Sequence, residues 1–141
     1  MGVEPGCLIA FKILYRGKGV YILSIISTLL LYYSVFIKHP KILDTLIIIS
    51  ALNVATAILS DSDSHNTVFY ALRISGAKPS TVMAYVITAS LTTSFIGLIP
   101  VVAKAELIKS LIALSINFTA ATLILYPTYL RIKKRLTSAV T

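Results

Sequence analysis

Asp61-Ser62-Asp63-Ser64-His65 is the only place in the chain where acids and a histidine stand together. Carboxylates and imidazole are donors that a transition metal takes. A closed zinc site needs four protein ligands, and a catalytic one needs three plus water. The neighbouring sequence does not supply the rest. The second histidine, His39, and the single cysteine, Cys7, belong to other segments. The same five residues have a simpler reading. Asp and Ser are preferred N-cap residues, and negative charge suits a helix N-terminus. The cluster therefore predicts the start of a helix. No catalytic residue, metal ligand or cofactor is assigned.

The other polar groups are as sparing of chemistry. Gly17-Lys18-Gly19 lacks the preceding strand and the third glycine of a dinucleotide fingerprint, and reads as a flexible elbow. No Walker motif is present, so this chain is not expected to hydrolyse ATP by itself. Asn53 and Asn117 stand in the middle of apolar runs, where an amide needs partners. An interhelical hydrogen bond is expected of each, with a contact along a substrate pathway as the alternative. Asp44 lies beside Lys41 near the end of a run and reads as an interfacial ion pair or a solvated carboxylate. An enzyme is not expected.

The elements that hold these residues follow from composition. Of 141 residues, 57% are hydrophobic and 13% charged. Soluble domains carry about 25% charge, so this chain cannot coat a water-facing surface. Disorder would need the opposite balance, and one cysteine cannot make a disulfide scaffold. An all-α integral membrane protein remains. Four runs are long enough to cross a bilayer as helices: residues 20–37, 42–60, 82–103 and 107–126. They form one membrane domain over residues 1–141, with a basic tail at 127–141. Residues 7–15 are too short to cross. Leu8, Phe11 and Tyr15 share a face there, which predicts an interfacial helix before span one.

Two connections are short, Lys38 to Lys41 and Lys104 to Glu106. The long one, Asp61 to Thr81, shares its side with both termini. That side carries nine of the thirteen Lys and Arg: Lys12, Arg16, Lys18, Arg73, Lys78, Arg131, Lys133, Lys134 and Arg135. The positive-inside rule then puts both termini in the cytoplasm of a cell-membrane protein. The net charge of +8 is an orientation signal, and nucleic-acid binding is not expected.

Small residues mark where helices approach closely in lipid. Ala51 and Ala55 offer such a row on span two, Ala89, Thr93 and Gly97 on span three, and Ala113, Asn117 and Ala121 on span four. Span one has no comparable row and is expected to be more peripheral. Pro100, three residues after Gly97, should kink or end span three.

The long connection holds the most informative stretch, Thr67 to Val86. A helix is expected over residues 64–75, with Val68, Phe69 and Leu72 on its apolar face. Gly76 is placed to stop it in the left-handed conformation, and Pro79 suits the first turn of the next helix. Leu72-Arg73-Ile74-Ser75-Gly76-Ala77, followed by a span carrying Gly97, resembles the Leu-Arg-Ala-Leu-Gly-Ala signature of permease subunits of FtsX/MacB-like ABC transporters. The order of interfacial helix, spans and cytoplasmic segment is similar too. The chain departs in lacking the extracytoplasmic domain, with about four residues between spans one and two. An Arg-Glu pair before the signature is replaced by Ser64-His65-Asn66. The resemblance implies a transport subunit that docks on a separate cytoplasmic ATPase and pairs with a second permease. Phe69, Leu72, Arg73, Gly76 and Ala77 would then form the docking element. The alternative is a structural or accessory subunit of a larger membrane assembly, with a membrane-protein partner or a homodimer.

Overall fold

Every apolar run becomes a helix, as backbone groups in lipid require. The computed structural model describes residues 5–36 and 42–138. Six helices follow in order: α1 (Pro5–Arg16), α2 (Lys18–Phe36), α3 (Ile42–Ser60), α4 (Ser62–Ile74), α5 (Pro79–Val102) and α6 (Leu107–Ser138). No strand occurs among the described residues. α2, α3, α5 and α6 are long and apolar enough to cross a membrane. The connection at Lys38 to Lys41, with His39, Pro40 and the lysine expected to pair with Asp44, lies outside the described residues, as does Ile37. Asp44 itself is exposed in the first turn of α3.

The width of each buried stripe fixes the arrangement. In α5 half of the apolar window is buried, against 33% in α3, 22% in α2 and 17% in α6. α3 and α5 pack on each other, and both contact α2 and α6, so they form the inner pair with α2 and α6 at the outer corners. Span one is therefore no more peripheral than span four. α2 packs through its own row of Gly19, Leu23, Ser27 and Ser34. A Cβ on Gly19 would collide with the Ala57 carbonyl of α3. The glycine expected to act as a flexible elbow is thus a point of close helix approach, and it has no positive φ.

α1 lies against α5 through Gly6, Ala10 and Leu14, leaving Leu8, Phe11 and Tyr15 exposed together on its other side. A Cβ on Gly6 would meet the Thr81 carbonyl. α5 starts at Pro79 and continues through Pro100 to Val102, two residues further. α6 runs past residue 126 and through Pro127 to Ser138. At 32 residues it is about 48 Å long, well beyond a hydrocarbon core of about 30 Å. The described part of the basic tail is thus the last turns of α6.

Candidate functional site

α4 is positioned by three devices, one at each end and one along its length. Its C-terminus is a full Schellman motif: the Ala77 amide donates to the Leu72 carbonyl (2.9 Å) and the Gly76 amide to the Arg73 carbonyl (3.2 Å). Gly76 has φ +69°, where a side chain would be strained. Ala77 packs back on the core that contains Leu72. Lys78 is extended and Pro79 opens α5, so the chain reverses within a few residues.

The N-terminal end differs from expectation. Asp61 stands at the N-cap position of α4, but its side chain makes no capping bond there. Its carboxylate turns away and accepts the Gly19 amide at 3.0 Å. Gly19 is in the first turn of α2, where backbone N–H groups have no intrahelical acceptor. Asp61 therefore caps α2, forty-two residues earlier. Gly17 and Gly19 both leave the space that its carboxylate occupies. The charge is buried, at 6% exposure, and faces the positive end of the α2 dipole.

Along α4, one face goes inward: His65, Val68, Phe69 and Leu72 are buried. The phenyl ring of Phe69 meets Tyr85 of α5 edge-on at 5.4 Å and Tyr129 of α6 at 5.6 Å. This three-ring contact joins α4 to α5 and α6. His65 Nδ1 and the Tyr85 hydroxyl lie 2.6 Å apart, while His65 Nε2 is buried without a hydrogen-bond partner. Burial lowers the pKa of His65 from its ordinary 6.5, partly offset by the Asp61 carboxylate. The ring is therefore neutral in the folded chain at pH 7.

These positions correct the sequence-based docking element. Phe69 and Leu72 are consumed inside the chain and offer nothing to a partner. Arg73 and Gly76 are exposed, Ala77 is half-buried, and Ile74 is exposed beside them. Tyr85 and the distant role of Asp61 carried no sequence signal, because their partners are twenty and forty-two residues away.

Within the apolar helices, the small rows of α5 (Ala89, Thr93, Gly97) and α6 (Ala113, Asn117, Ala121) are buried. On α3 the buried row is Ser50, Asn53, Val54 and Ala57, with Ala51 and Ala55 half-buried at its edge. Ser50 donates to the Gly97 carbonyl (2.6 Å), and Asn117 Nδ2 donates to Ser50 Oγ (2.7 Å). Three helices are thus joined at the one point where α5 lacks a side chain. Asn53 Nδ2 lies 3.4 Å from both the Leu23 carbonyl and Ser27 Oγ of α2. Both asparagines bridge helices. Their Oδ1 atoms are buried and unpartnered.

Among the described residues, no three His, Cys, Asp or Glu side chains converge as a metal site would require. Asp63 is exposed on the outer side of α4, away from His65. Compared with protein-family models, curated proteins and solved structures, the chain matches none.

Proposed function

We propose that this chain is a small permease-like subunit of an ABC-type transporter that couples a separate cytoplasmic ATPase to its spans. It performs no catalysis of its own. In this reading α1 lies at the inner leaflet, both termini are cytoplasmic, and α4 is the short cytoplasmic helix between spans two and three. The observation that carries the reading is the mechanical fixing of α4. A Schellman turn, a three-ring contact and the His65–Tyr85 pair tie it to α5 and α6. A force on its outer face would therefore move two spanning helices rather than bend a loop. That outer face ends in Arg73 and Ile74, both exposed.

The test is purification of the full chain from native membranes in mild detergent. An ATPase subunit should accompany it in fixed ratio, and Ile74→Asp with Arg73→Glu should remove the ATPase without changing helicity. Retention of the ATPase by that double variant ends the docking role.

The accessory-subunit reading rests on a different observation. The buried polar groups of the spans are used in helix-to-helix bonds, and α2 presents Ile25, Leu29, Tyr32, Tyr33 and Phe36 outward. It predicts co-purification with a membrane complex that contains no ATPase.

A further inference from the structure

Two open, mostly apolar surface depressions adjoin at the junction of α1 and α2. The first, about 640 Å³, is an open groove along the outer side of α2, walled by Leu14, Val20, Ile25 and Leu29. The second, about 550 Å³, is walled by Arg16, Lys18, Tyr21 and Ile22. Tyr15, Gly17 and Tyr21 line both, so the two are continuous. The first follows α2 along its length, and the second sits where α2 begins, flanked by Arg16 and Lys18.

We propose that this junction is a binding site for one anionic phospholipid. Its phosphate is held by Arg16 and Lys18, and one acyl chain lies along α2 from Val20 to Leu29. That stretch rises about 14 Å, within the length of an acyl chain. Charge complementarity selects the headgroup. Two cations flank the opening, and the nearby carboxylate, Asp61, is buried behind the elbow on the Gly19 amide. Tyr15 and Tyr21 are exposed at the mouth, where amphipathic rings favour the membrane interface. The shape is fixed by the fold rather than by a flexible turn. Gly17 and Gly19 let the junction close onto the Asp61 carboxylate and the Ala57 carbonyl of α3. The site does not depend on the transporter reading.

The chain contains no tryptophan, so Tyr21→Trp places a single fluorophore at the mouth. The full chain is reconstituted in phosphatidylcholine vesicles. A small fraction of either phosphatidylglycerol or phosphatidylcholine with brominated acyl chains is then added. Brominated phosphatidylglycerol should quench Tyr21→Trp more strongly at equal mole fraction. A control, Leu123→Trp on the exposed face of α6, should be quenched alike by both. The preference should fall roughly fivefold with each of Arg16→Gln and Lys18→Gln. Raising salt should weaken it in the chain that keeps both cations, a check that needs no charge substitution. Equal quenching by both lipids, or a preference that survives both substitutions or high salt, overturns the proposal. So does protection of the fluorophore from either lipid, the result if a second copy of the chain fills the groove.

Discussion

His65 shows how one side chain can be placed by burial rather than by reactivity. Its cluster with Asp61 and Asp63 suggested a cap or a metal, yet the fold gives each of the three a different role. Asp61 caps α2, Asp63 faces outward, and His65 pairs with Tyr85. Burial lowers the pKa of the imidazole from its ordinary 6.5. The unfolded chain therefore takes up a proton that the folded chain refuses once the pH drops below about 6.5. Stability should be at its full value above that pH and should decline on acidification toward the lowered folded value. Thermal unfolding in detergent between pH 8 and pH 5, with ~1 unit steps, measures this. His65→Gln, which cannot titrate, should flatten the acid limb. An unchanged acid limb in that variant would assign the decline to other groups.

At the scale of elements, Gly76 and Gly19 act by different physics. Gly76 is needed for its backbone angle, since nothing lies within 4 Å of where its Cβ would stand. Gly76→Ala should cost about 1 kcal/mol, the strain of a left-handed residue. Gly19 is needed for space. A Cβ there meets the Ala57 carbonyl and the Asp61 carboxylate, and backbone cannot yield as a flexible side chain can. Gly19→Ala should fall at the upper end of the roughly 1–3 kcal/mol range for overpacking, and it also threatens the Asp61 bond. Denaturation in mixed micelles should rank Gly19→Ala as clearly the more destabilising. The opposite ranking would mean that α2 and α3 can separate at little cost. Hairpin-like joints such as α4–α5 were legible because Gly and Pro have strong local meanings. The contact between α2 and α3 was not, because close approach is a property of two segments at once.

At the scale of the whole molecule, the up-and-down order gathers α1, the end of α6, α4 and the α1–α2 junction at one end of the bundle. The positive-inside rule, applied to the cation count, predicts that this end faces the cytoplasm. The test is accessibility of single cysteines in a Cys7→Ser background, since Cys7 is half-buried and accepts a bond from Thr88. Ser64→Cys, exposed on α4, should react with a membrane-impermeant maleimide only from the cytoplasmic side. Lys104→Cys, between α5 and α6, should react only from outside. Reaction of both from one side would break the four-span topology. Reversal of the two would leave the bundle intact and invert its orientation.

Composition and run length by themselves determined the helical character and the four helices long enough to cross a bilayer, because non-alternating apolar runs can satisfy their backbone groups in hydrocarbon only as helices. Local punctuation determined the α4–Gly76–α5 joint and the inward face of α4. The tertiary structure alone decided what the polar residues do. Ser50, Gly97 and Asn117 meet only when α3, α5 and α6 pack together. Asp61 serves a helix forty-two residues away, and Phe69 and Leu72 turn from a docking surface into core. Each outcome depends on which helix is the neighbour. In this chain that choice rests on the width of buried stripes and on where a glycine lets two backbones touch.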